Sequence, residues 1–131
     1  MKRRNFLRGF AGDRNGAQAV EFAIIAPVLF AFMFGVFEIG RLMYEESRVA
    51  AAAAAGARAV TLYGAADTTN IEAAINAKLP YAATITLTDT TFGTQPFKKI
   101  DITYDFDFLI QFNRGWSGVT ITATRYAPAL S

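Results

Sequence analysis

Residues 22–37 read FAIIAPVLFAFMFGVF, a run of 16 without a charged side chain, bounded by Glu21 and Glu38. Adding 17–20 on one side and 39–40 on the other gives 24 residues that carry only those two charges. A bilayer core of ~30 Å needs ~20 residues of helix at ~1.5 Å each. The uncharged stretch alone reaches only ~24 Å, whereas 17–40 as a whole is long enough. The other reading is a buried helix of a water-soluble domain. Five Phe in those 16 residues and no polar stripe argue against it, because such a helix keeps one polar face. Pro27 is tolerated in a membrane helix where neighbours satisfy the freed carbonyl, and it kinks or locally opens the helix.

The flanks orient the span. Residues 1–16, MKRRNFLRGFAGDRNG, hold Lys2, Arg3, Arg4, Arg8 and Arg14 against Asp13, a net +4. The other 115 residues hold eight basic and ten acidic groups, a net −2, which completes the +2 of the whole chain. The segment after the span, RLMYEESR, is neutral overall. The excess of positive charge places 1–16 in the cytoplasm and 41–131 outside it. A basic leader of this kind is a topology signal, and the scattered Arg and Lys beyond residue 41 leave no nucleic-acid footprint.

The chain has no Cys and no His. That excludes disulfide frameworks, Cys-ligated zinc, Fe–S clusters, thiol nucleophiles, Ser-His-Asp triads and HExxH sites. Neither GAAD nor RGWSG has the pattern of a phosphate loop. Asp101, Asp105 and Asp107 share the polar face of one expected strand. Three carboxylates suggest Ca²⁺ or Mg²⁺, but their spacing matches no metal loop, and Lys98 and Lys99 offset them. They read as a solvated strand face. No cofactor, no metal and no catalytic residue is expected, and the chain is not read as an enzyme.

Residues 42–63 stay helical but change in type. The run SRVAAAAAAGARAV is rich in Ala, the best helix former. Leu42, Val49, Ala53, Gly56, Val60 and Tyr63 form a narrow stripe of mostly small residues, over which another backbone can come close. The stripe packs either on other subunits or on the chain's own domain. One helix over 17–62 would be ~69 Å long, with about 17–40 in the membrane.

Tyr63-Gly64-Ala65-Ala66-Asp67 breaks the helix. Thr69-Asn70-Ile71-Glu72 fits a capping box, with Thr69 as N-cap. A short helix then presents Ile71, Ala74, Ile75 and Leu79 and stops before Pro80. Period-two alternation follows at 84–88, at 100–108 and at 119–124, separated by turns at Gly93-Thr94-Gln95-Pro96 and Asn113-Arg114-Gly115. Trp116 reads as core. The fold class is α+β. A long N-terminal transmembrane helix continues into a small extracytoplasmic domain with a short helix and a three- to four-stranded antiparallel sheet. The expected divisions are 1–16, 17–62 and 63–131.

The junction Asn15-Gly16-Ala17-Gln18-Ala19-Val20-Glu21-Phe22 puts Gly at the end of a basic leader and a lone carboxylate five residues later. A secretory signal is cut after its apolar stretch. A cut after Gly16 would come before it, so the anchor would stay on the mature protein. A Glu in a membrane helix is costly without a partner. The new ammonium on Ala17, four residues away, would supply one, within a helix or between packed helices. The plain alternative is a Glu21 at headgroup level and a Gly16 that is only a joint.

Here the chain resembles the TadE-like family of tight-adherence (Tad, Flp-type) pilus proteins. The resemblance rests on Arg14-Asn15-Gly16-Ala17-Gln18-Ala19-Val20-Glu21-Phe22-Ala23, on Pro27, on Phe37-Glu38-Ile39-Gly40-Arg41 and on Ala55-Gly56-Ala57-Arg58. With Gly35 these cover about 14–60. The resemblance implies a pilin-like minor pilin or pseudopilin cut by a prepilin peptidase between Gly16 and Ala17. Glu21, at the fifth mature position, and Phe22 would serve recognition and assembly; related Flp pilins prefer Tyr where Phe22 stands. Implied partners are the peptidase, other pilins or pseudopilins of the same system, the inner-membrane assembly platform and the lipid bilayer. The implied location is the bacterial inner membrane, single-pass, N-terminus cytoplasmic, C-terminal domain periplasmic or extracellular, and the pilus fibre on assembly. The alternative is an unprocessed single-pass anchor whose outer domain binds an envelope partner.

Overall fold

The structure, a computed structural model, describes residues 14–110 and 118–129. Most of the basic leader, the Asn113-Arg114-Gly115 turn and Trp116 lie outside the described residues.

Helix α1 runs Arg14–Tyr63, with Pro27 inside it. It begins three residues before the expected start and ends one after the expected end. Its last turn closes on Gly64, whose backbone has φ +88° and whose N–H donates to the Val60 carbonyl at 2.9 Å. That is the left-handed C-cap that glycine adopts without a steric penalty.

The chain divides into two compact units, Met1–Ile39 and Gly40–Ser131. The division falls inside α1. The reason is packing: Val49, Ala52, Ala53, Ala59 and Val60 of α1 are buried in the core of the second unit. In the first unit Phe22, Ile24, Val28 and Phe32 are all exposed, an apolar surface that requires lipid or protein cover. α1 is the one helix among the described residues long and apolar enough to cross a membrane.

Helix α2 spans Thr68–Asn76. Its N-cap is Asp67, not Thr69. The Asp67 carboxylate accepts from the Asn70 N–H at 3.1 Å and from Asn70 Nδ2 at 2.7 Å. These bonds hold its pKa below the ordinary carboxylate value. A carboxylate here also faces the positive end of the helix dipole, an advantage a threonine hydroxyl lacks. Ile71, Ile75 and Leu79 are buried, as the helical spacing indicated.

Strands β1 (Thr84–Phe92), β2 (Gln95–Asp107) and β3 (Gly118–Pro128) form one antiparallel sheet in the order β1-β2-β3. All three are longer than the alternation indicated. The first turn is only Gly93-Thr94, so Gln95 and Pro96 belong to β2. Gly93 has φ +62° while Thr94 does not have a positive φ, the arrangement of a type II′ hairpin turn. Ile100, Ile102 and Phe106 alternate with Asp101, Thr103 and Asp105 and carry the buried face. That face packs on α2 and on the Ala-rich part of α1, and these elements form one hydrophobic core.

Candidate functional site

The processing and assembly residues named from the sequence lie on the first turns of α1. Gly16, Ala17, Glu21, Phe22, Ala23 and Pro27 are helical and exposed. Gly16 has open space where a Cβ would stand, as do Gly35 and Gly40. The first four N–H groups of a helix have no intrahelical acceptor, and Gly costs ~1 kcal/mol relative to Ala in a helix interior. The Gly16–Ala17 bond thus sits in the first turn, where the helix opens at least cost. Ala17 and Glu21 are one turn apart, the spacing at which side chains on one face meet. Glu38 is buried, with 8% of its surface exposed. The Arg41 guanidinium lies over the Phe106 ring at 4.9 Å.

The small-residue stripe has a definite occupant within the chain. Val49, Ala53 and Val60 are buried and Leu42 is half-buried against the same core. A Cβ on Gly56 would come within 2.8 Å of Ile75 Cδ1 and Cγ1 and 3.4 Å of Ile100 Cδ1. Gly56 therefore sets the separation between α1 and α2.

Two of the three aspartates of β2, Asp101 and Asp105, are tied up across the sheet. Asp101 accepts from Thr124 Oγ1 at 2.6 Å and pairs with Lys99 at 2.7 Å. The Lys99 and Thr124 hydrogen bonds draw the Asp101 pKa down, and the same pairing raises that of Lys99. Asp105 accepts from Thr120 Oγ1 at 2.7 Å. Among the described residues no three acidic groups converge. Lys98, which lies on the buried face with 6% of its side-chain-bearing residue exposed, pairs with Asp89 of β1. A shallow depression near the hairpin is lined by Asp89, Thr90, Thr91, Pro96, Phe97 and Ala129, with Asp89 the one ionisable side chain among the described residues that line it.

One constellation had no sequence signal. Tyr81, in the connection between α2 and β1, donates its hydroxyl to Glu45 Oε2 at 2.6 Å and stacks on Tyr104 at 3.9 Å between ring centres. Arg48 stands 3.9 Å from Glu45 and lies over the Tyr44 and Tyr81 rings. Glu45 and Tyr81 are 36 residues apart, and no local pattern joins them. The cluster pins the connection to α1. Burial first, then the bond to Glu45, pushes the Tyr81 pKa up from its ordinary 10.0. A raised pKa stabilises the fold fully below the unfolded-state pKa and is lost as pH rises above it. Wild-type thermal stability should therefore fall as pH passes about 10. Tyr81→Phe should cost ~1 kcal/mol at neutral pH and make that alkaline fall shallower, as melts at pH 7 and 11 would show. An unchanged alkaline slope would mean that Tyr81 is not the titrating group.

Residues 16–58 match the family model described as TadE-like protein, so the TadE-like resemblance is shown over that segment, about a third of the chain. No curated relative and no solved structure matches the chain.

Proposed function

From the TadE-like match over residues 16–58 we propose that this chain is a minor pilin or pseudopilin of a tight-adherence pilus. The observation that carries the reading is the coincidence of that match with a long apolar helix whose first turn holds the proposed cut. A prepilin peptidase removes 1–16 between Gly16 and Ala17. The new Ala17 ammonium and the Glu21 carboxylate then lie one turn apart at the head of an anchor that stays on the protein. Assembly proceeds by packing of the exposed first unit of α1 against the helices of other pilins, on an inner-membrane platform, with the second unit outside the cytoplasm. The absence of His and Cys is compatible with a subunit whose work is packing.

The test is the intact mass of the protein purified from membranes of cells that contain the peptidase. A mass corresponding to residues 17–131 is expected. A chain intact from Met1 would sink the processed-pilin reading and favour an unprocessed anchor. That second reading draws on the sheet itself: β1 is an edge strand along all nine residues and is open to strand addition.

A further inference from the structure

Three contacts set the direction of β2 along the second unit's part of α1. Gly56 faces Ile100, where its Cβ would stand 3.4 Å from Ile100 Cδ1. Glu45 holds Tyr81, and Tyr81 stacks on Tyr104. Arg41 lies over Phe106. Moving from 100 to 106 on β2 thus means moving from 56 back to 41 on α1. The strand heads toward the residue at which the charge-poor stretch 17–40 ends.

At that end of the sheet the chain presents apolar side chains. Leu109, three residues beyond Phe106, is 70% exposed. Val119 of β3 is the register partner of Phe106 and is 41% exposed. We propose that this end of the domain rests in the headgroup layer of the membrane that anchors α1, with Leu109 and Val119 at the acyl boundary and Arg41 at the level of the lipid phosphates. The inference rests on the membrane reading of α1.

A lipid surface is the occupant because the patch is continuous with the membrane exit: Arg41 directly follows the span and touches the ring that pairs with Val119. Long cationic side chains at the end of a membrane helix reach the interface in this way. Two side chains are a weak anchor alone. The span already holds the domain at the surface, so even a weak contact is populated at the high effective concentration of a tethered group. Asp105 and Asp107 are exposed near the same end of β2. The contact rests on apolar side chains, so zwitterionic lipid is sufficient for it.

The chain has no Cys, so single cysteines can be introduced without removing native ones. The full chain, carrying a nitroxide at Leu109→Cys, Val119→Cys, Thr94→Cys or Phe30→Cys, is placed one copy per nanodisc of zwitterionic lipid. Labels at 109 and 119 are expected to shift toward the oxygen-accessible, nickel-protected behaviour of the label at 30. The label at 94, in the opposite turn, is expected to stay open to a water-soluble nickel complex. Labels at 109 and 119 that behave like 94, while 30 stays lipid-exposed, overturn this proposal and leave the span intact. A water-accessible label at 30 overturns both. Protection of 109 and 119 only in discs with two copies overturns the lipid assignment in favour of a second chain.

Discussion

Gly56→Leu is expected to unfasten α2 from α1 and lower the melting temperature of the second unit by more than ~10 °C. The reasoning begins with space. At Gly56 even the first carbon of a side chain would stand 2.8 Å from Ile75 Cδ1 and Cγ1, with Ile100 Cδ1 behind it at 3.4 Å. Leucine adds three carbons beyond that. The surrounding wall offers no slack, since Val49, Ala52, Ala53, Ala59, Ile71 and Ile75 are all buried. Overpacking of a filled core costs ~1–3 kcal/mol or more, and small domains have only ~5–15 kcal/mol in total. Each kcal/mol moves the melting temperature of a domain this size by ~4–8 °C. Gly56→Ala divides the effect. The alanine methyl presses on the end of Ile75, but alanine also improves helix propensity by ~0.5–1 kcal/mol, so the net change is small. Pairing Gly56→Leu with Ile75→Ala returns volume and should recover part of the loss. Near-UV circular dichroism melts would read all four chains. A Gly56→Leu chain that melts with the wild type would show that the α1–α2 contact is not tightly packed.

That contact also shows what the sequence could and could not disclose. The stripe Leu42, Val49, Ala53, Gly56, Val60 and Tyr63 was visible as a periodicity, because helical spacing is local, though Tyr63 at its end is exposed. Whether it met another subunit or the chain's own sheet was not visible, since that depends on residues as distant as Ile100. The alternation of β2 gave its buried face correctly at Ile100, Ile102 and Phe106. The same alternation puts Lys98 on that face, yet a lysine beside Lys99 reads as a solvated pair. Its cross-strand partner Asp89 becomes apparent only when the hairpin register is known. Gln95-Pro96 looks like loop chemistry, so the sequence indicates a wider turn than the structure has. A glycine with positive φ closes the hairpin in two residues and leaves Pro96 in the strand. The N-cap moved from Thr69 to Asp67 because both fit a capping pattern, and the closure of α1 at Gly64 leaves Asp67 at the start of the next turn. The TadE-like pattern was legible because it runs along a single helix and needs no long-range contact, and the family match over 16–58 falls on it.

At the Gly16–Ala17 junction, two substitutions five residues apart should separate cutting from assembly. Gly16→Ala is expected to leave the leader on, so the membrane protein keeps the mass of all 131 residues. Part of the effect is conformational. Alanine stabilises the helical form by ~1 kcal/mol relative to glycine, so the frayed state in which a peptidase can take an extended backbone becomes ~5-fold rarer. Gly16 also has open space where the methyl would go, so the fold itself has no objection to the change. Any loss beyond that factor measures exclusion of a side chain by the peptidase pocket. Glu21→Gln keeps the size of the side chain and removes its charge. Within the bilayer a carboxylate costs ~2.5–3.5 kcal/mol near the centre of a helix, so the neutral variant inserts at least as well and should still be cut. On the proposed function, what it loses is attraction for the Ala17 ammonium of a neighbouring chain. In a water-poor helix bundle that loss amounts to at least ~1.4 kcal/mol, or about tenfold in the equilibrium for entry into a fibre. The expected pair of results is therefore an uncut, membrane-bound Gly16→Ala protein and a cut Glu21→Gln protein that is depleted from sheared pili. If Glu21→Gln enters pili at the wild-type level, the carboxylate does not set the register between subunits, and its place at the head of the helix serves the peptidase alone.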